Sequence, residues 1–183
     1  MSELCFRRAT GKPSQWTFDI APIRELVLAR TNGGNGWADP FCGRSTIAEY
    51  RNDLDPLSPA DHHMDAEEWS RKVPPKRLRG VLFDPPYSPR QVSECYKGLG
   101  LHARKIDTSS NFYCRVQNQL ALKMPVGATA ISCGWDSTGF GYSRGFEIVD
   151  GLLVNYGGKH HDTIVTVEKR CFIPTPSTPG GGQ

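Results

Sequence analysis

Apolar positions along the chain switch between two spacings, and the switching predicts the elements. In "FDIAPIRELVLAR", Ile20, Ile23, Leu26 and Val27 recur at helical spacing, with Thr17 and Asp19 as candidate caps. "TNGGNG" reads as a loop. "WADPFCG" reads as a short strand end turning at Pro40 and Gly43, followed by a brief helix over "RSTIAE". "YRNDLDP" predicts a second short strand ending in acids. "DAEEWSRKV" predicts a helix closed by Pro74 and Pro75. "RGVLFDPPY" is the next strand and "PRQVSECYKGL" the next helix, with a proline in its first turn. After "GLHARKIDTSS", "NFYCRVQNQLALKM" makes a helix, and "GATAISCGW", "FEIVDGLLVNY" and "DTIVTVEKR" make strands. Strands alternating with helices predict a parallel α/β sheet. The last two strands, joined by "GGKHH", predict an antiparallel hairpin on it.

The stretch "VLFDPPYSP" stands out from this pattern. Three apolar residues suit a buried strand, and the prolines then stop it, since proline lacks a ladder N–H and restricts the residue before it. Asp84 and Tyr87 therefore project from a stiff turn at a strand's carboxyl end, where open α/β sheets bind ligands. Asp39 in "ADPFCG" and Asp53 in "NDLDP" end the two strands before it. If these three strands are neighbours, their acids line one rim. Such a rim suits a nucleoside with a cationic group. A carboxylate near the first turn takes an ammonium, one at the second strand end takes two ribose hydroxyls, and one at the third accepts from an adenine amino group. Asp55 could share the role of Asp53, and Asp65 is either a contact to an adenine amino group or an ordinary helix N-cap.

Composition narrows the picture little. The chain has 183 residues, 38% apolar and 22% charged, which suits one folded domain. A net charge of +3 is compatible with a nucleic-acid partner without requiring one. Residues 1–13 are expected to be loose, 14–172 to form the domain with no separate target-recognition region, and 173–183 to be a disordered tail. The six cysteines include no Cys-x-x-Cys pair and read as reduced thiols. With no run of signal-peptide or transmembrane type, the expectation is a cytoplasmic protein without a membrane partner. The pairs His62–His63 and His160–His161 lack cysteines or acids at ligand spacing and read as solvated, so no metal is expected. The basic run "RKVPPKRLRG" leads into the amino end of the "VLFD" strand and reads as a solvated turn on the face opposite the acids. "KGLGLHARK" is the better candidate for phosphates.

"DPPY" after an apolar strand, with "ADPFCG" upstream, resembles the S-adenosylmethionine-dependent amino-methyltransferases that act on adenine in DNA. The resemblance spans residues 14 to 170 and includes "TFDIAPI", "NDLDP" and "VEKR". Short forms from phages and mobile elements are nearest in style. It implies a class I, Rossmann-like α/β fold: a seven-stranded sheet with helices on both faces and an antiparallel last strand. It implies cofactor contacts from Thr17 and Phe18, from Asp39, Pro40, Phe41 and Gly43, and from Asp53 and Leu54. Asp65, Ala66 and Asp84 complete that set. The catalytic platform would be Asp84, Pro85, Pro86 and Tyr87, with Tyr87 stacking on the target base. Substrate contacts would come from Tyr87, Ser88, Arg90 and Trp135, and from Arg104 and Lys105 in the basic insert. Trp135 is equally readable as structural.

The chemistry agrees with the resemblance. An exocyclic amine is a poor nucleophile because its lone pair is delocalised into the ring. Hydrogen bonds from its two N–H groups to the Asp84 carboxylate and the Pro85 carbonyl would free that pair for the sulfonium methyl. The prolines hold the acceptors still beforehand, where electrostatic catalysis is strongest. Relatives acting on cytosine more often carry serine at position 84, and those acting on protein glutamine asparagine. DNA is thus the expected partner, with RNA as runner-up and a homodimer or second protein as a source of target recognition. A cofactor-binding but inactive partner subunit is the alternative of a different class.

Overall fold

The computed structural model describes residues 4–74, 78–87, 89–98, 100, 110–158 and 160–175. Its strands are β1 (Cys5–Thr10), β2 (Trp37–Asp39), β3 (Tyr50–Arg51), β4 (Gly80–Phe83), β5 (Thr129–Gly134), β6 (Phe146–Asn155) and β7 (Thr163–Arg170). Its helices are α1 (Ala21–Thr31), α2 (Ala66–Lys72), α3 (Pro89–Gly98) and α4 (Ser110–Ala121). No helix among the described residues is long and apolar enough to cross a membrane.

The strands form one sheet in the order β1-β6-β7-β5-β4-β2-β3. All neighbours are parallel except β7, which runs antiparallel to β5 and β6. Side-chain alternation fills a core on each face. Val81 and Phe83 of β4 join the cluster with Trp69 of α2 and Val116 and Leu120 of α4. Leu82, between them, joins the cluster with Ile23, Leu26 and Val27 of α1. Helices thus cover both faces, as the sequence predicts.

Three expectations are corrected. Within the N-terminal segment expected to be loose, Cys5–Thr10 instead forms the seventh strand, paired in register with Asp150–Asn155 of β6. Its residues are mostly exposed and so carry no buried pattern; distant partners hold it instead. The Arg7 guanidinium donates to buried Asp150 at 2.9 Å, and Arg30 of α1 donates to the same oxygen at 2.6 Å. Gly151 leaves space for the Phe6 ring, which a Cβ there would meet at 2.2 Å.

Second, "RSTIAE" is not a helix. Its backbone turns outward to the loop before β2, with Glu49 N–H donating to Gly34 O at 3.2 Å and the Glu49 carboxylate accepting from Gly36 N–H. Third, Thr17 and Asp19 do not cap α1, which begins after Ile20 without a side-chain cap. They belong to a separate 3-10 turn, Thr17–Asp19. Most of the predicted tail, residues 176–183, lies outside the described residues.

Candidate active site

The order β3-β2-β4 makes the three acid-ended strands neighbours, and a cleft of about 830 Å³ opens at their carboxyl ends. Its walls come from residues 14–19, the turn after β2, the 52–59 loop, the start of α2, the "DPPY" turn and α3. A smaller hollow of about 570 Å³ lies at the amino ends of β2, β4 and β5, lined by Arg30, Arg79 and Lys169. Arg79, from the basic run, therefore lies at the end of the sheet opposite the acids.

Beyond β4, the "DPPY" turn is held from three sides. The Tyr87 N–H donates to Gln91 Oε1 at 2.7 Å, and Tyr113 Oη donates to the Pro86 carbonyl at 2.7 Å. Tyr87 Oη donates to Asp84 Oδ1 at 2.5 Å and lies 3.3 Å from Thr17 Oγ1. Burial pushes the Asp84 carboxyl up to about 6, against the opposing pull of the bonds from Tyr87 and Thr17. Burial likewise raises the Tyr87 phenol, and the neighbouring Asp84 charge adds to it. Tyr87 therefore turns its hydroxyl inward onto the carboxylate, while its ring meets Trp135 edge-on at 5.7 Å. Trp135 is 44% exposed just beyond β5, and His161 lies against it at 4.7 Å.

The acids have distinct settings. Asp53 accepts from Gly43 N–H at 2.7 Å on one oxygen and from Asp55 N–H at 2.9 Å on the other. Asp55 accepts from Leu57 N–H at 2.8 Å and closes its own turn. Asp65 caps α2, Oδ1 accepting from Glu67 and Glu68 N–H at 3.0 and 3.1 Å; Oδ2 takes no part in the cap.

Asp39 departs from expectation. It is fully buried, with Oδ1 accepting from Phe41 N–H at 3.1 Å and Oδ2 without a hydrogen-bond partner among the described residues. Burial holds its carboxyl well above the ordinary range, and the charges of Asp84 and Asp53 add to this. It lies beneath the cleft and is not part of its wall, so the expected direct contact with an ammonium is not available to it.

Among the other predicted residues, Pro40, Gly43, Leu54 and Ala66 line the cleft, and so do Pro85 and Pro86. Phe18 lines it too, but is mostly packed into the α1-side core. Phe41 sits edge-on to Phe83 at 5.5 Å and to Tyr113 at 6.0 Å. Arg90 is exposed on α3 and paired with Glu94. Ser88, Arg104 and Lys105 lie outside the described residues.

Asn52 is the residue that sequence reasoning missed. It is 1% exposed; its Nδ2 donates to Pro40 O at 3.1 Å and Met64 O at 3.0 Å, and its Oδ1 accepts from Met64 N–H at 3.2 Å. It ties the turn after β2 to the segment before α2, so two walls of the cleft share one amide side chain. Its only trace in the sequence is a polar residue wedged between a strand and Asp53.

No family model and no curated protein match the chain. Among solved structures it is similar to TrmN from Thermus thermophilus, at 18% identity and a TM-score of 0.54, over 82% of this chain and 49% of that one. The chain thus spans about half the length of TrmN. Weaker likenesses are to a candidate methyltransferase of Streptococcus mutans in complex with SAH (11% identity, TM-score 0.43, 73% of this chain and 84% of that one). A candidate methylase of Haemophilus influenzae follows (9% identity, TM-score 0.48, 82% and 89%). What the chain shares at these identities is a fold, the class I, Rossmann-like α/β fold with a seven-stranded mixed sheet.

Proposed function

We propose that the chain is an S-adenosylmethionine-dependent methyltransferase acting on the exocyclic amino nitrogen of adenine in DNA. The observation that carries this is the adjacency of β3, β2 and β4, which gathers Asp53, the Gly43 turn and the "DPPY" acid onto one cleft.

The residues fit the cofactor. A carboxylate offers about four acceptor sites. Asp53 gives two to backbone N–H groups, which leaves two for the vicinal ribose hydroxyls. Leu54 offers an apolar side for a purine, and Asp65 Oδ2 an acceptor for its amino group. Gly43 has φ +53, and a Cβ there would meet the Trp16 ring at 2.6 Å, so the turn forms a close cradle. When bound, the cofactor supplies an electrophilic methyl group.

The chain's own part is to orient and deprotonate the amine. Asp84 and the Pro85 carbonyl accept its two N–H groups, once the Tyr87 hydroxyl gives up Asp84 Oδ1. A carboxyl held near 6 is ionised at neutral pH, and is basic enough to take the proton that the amine sheds on methylation. The Tyr87 ring, which meets Trp135 edge-on, would offer a stacking surface for the base once its hydroxyl has left Asp84.

The test is transfer of label from S-adenosylmethionine to DNA and to RNA, by wild type and Asp84→Ala. Labelled N6-methyladenine in DNA with wild type alone is the expected result. Equal incorporation by both proteins would refute the role of Asp84. Label only in RNA would move the substrate, and cofactor binding without turnover on either would favour an inactive partner subunit.

A further inference from the structure

The described walls of the cleft carry carboxylates almost throughout: Asp53, Asp55, Asp65, Asp84 and Glu94 line it, as does Asp19. Its only guanidinium groups among the described residues are Arg24 and Arg44, and both converge on Asp19. Arg44 donates to Asp19 Oδ2 from Nε at 2.7 Å and also from Nη2. Arg24 Nη1 lies 3.8 Å from Asp19 Oδ1. One carboxylate between two guanidiniums leaves one net positive charge, at one end of an otherwise anionic cleft. Arg44 is further held over the Trp16 ring, 5.6 Å from its centroid, and its side chain is 60% exposed. Five N–H donors in a fixed fork leave it spare donors after Asp19 is served.

We propose that Arg44, supported by Arg24, binds the α-carboxylate of the cofactor's amino-acid end and that Asp19 accepts from its α-ammonium. This rests on the cofactor reading above. A zwitterionic amino acid entering this cleft meets repulsion of its carboxylate along the rest of the described walls. The neighbouring contacts agree: Gly43, next to Arg44, donates to the Asp53 carboxylate assigned to the ribose. Thr17, at the other end of the same 3-10 turn as Asp19, lies against the Tyr87 hydroxyl at Asp84. The buried setting of Asp39 removes the other candidate for the ammonium. Arg44 thus sets affinity for the amino-acid end and leaves the nucleoside contacts alone.

The test is calorimetric binding of two ligands, S-adenosylhomocysteine and 5′-methylthioadenosine, which keeps the nucleoside and thioether and lacks the amino acid. Arg44→Gln is expected to weaken S-adenosylhomocysteine about 10- to 100-fold and methylthioadenosine by less than about twofold, the loss of a charge-assisted pair. Arg44→Lys should fall between, keeping the charge without the fork. Methylthioadenosine binding doubles as the control that the variant is folded. Equal weakening of both ligands, or none of S-adenosylhomocysteine, overturns the subsite while leaving the cofactor reading intact. Wild type that binds neither ligand overturns both.

Discussion

Asn52→Ala tests whether the cleft depends on a single buried amide. The substitution removes three hydrogen bonds, to Pro40 O, Met64 O and from Met64 N–H, made by a side chain that is itself buried. At about 1 kcal/mol net per bond, the loss is about 3 kcal/mol. For a domain of this size, that corresponds to a fall in Tm of roughly 6–12 °C. Asn52→Asp sharpens the test. It keeps the acceptor for Met64 N–H but replaces the donors with an anion facing two carbonyls, near Asp39 and Asp53. Burial would raise that new carboxyl's pKa, so the folded state would hold a proton that the unfolded state releases. The deficit relative to wild type should therefore shrink as pH falls. The assay is thermal unfolding followed by far-UV circular dichroism at about pH 7.5 and about pH 5.5. A Tm for Asn52→Ala within about 1 °C of wild type would refute the reasoning. So would an Asn52→Asp deficit that grows on acidification.

Other perturbations have equally definite outcomes. Asp84→Asn should cut methyl transfer by about 100-fold or more, since it removes the charged acceptor and base. It should also raise stability above about pH 6. The Asp84 carboxyl is held up to about 6, so its ionisation opposes folding. Its contribution is most favourable below the ordinary carboxylate range and declines as pH rises through that value; a Tm gain confined to low pH would contradict this. Tyr87→Phe removes a bond that lowers the Asp84 pKa in the free protein, so the acid limb of the kcat/KM–pH profile should move to higher pH; an unmoved limb counts against the contact. Gly43→Ala, at φ +53 and 2.6 Å from Trp16, should weaken S-adenosylhomocysteine about tenfold by displacing the turn, as read by calorimetry. Asp150→Ala frees Arg7 and Arg30 and should abolish hydrogen-exchange protection of the β1 amides while β4 and β5 stay protected.

The sequence by itself determined the local choices. Alternating apolar spacings set parallel strands between helices, the proline pair stopped β4 after Phe83, and acids at three successive strand ends marked the rim. The two-step strand period and the turn chemistry of proline and glycine act over a few residues, so they can be read from a few residues. What only the tertiary structure decided rests on partners far apart in the chain. β1 shows no buried pattern, and Arg7 finds Asp150 143 residues away. Asn52 becomes a tie only because the turn after β2 and the approach to α2 meet at its side chain. Asp39 was legible as a strand-end acid but not as a sealed one, because burial follows from how the following turn folds back over it. Tyr87 was legible as an aromatic on a stiff turn, yet its hydroxyl faces Asp84 beside Thr17, 70 residues upstream. Side-chain direction at a strand end is set by what the neighbouring strands and loops bring to it, and no local pattern encodes that.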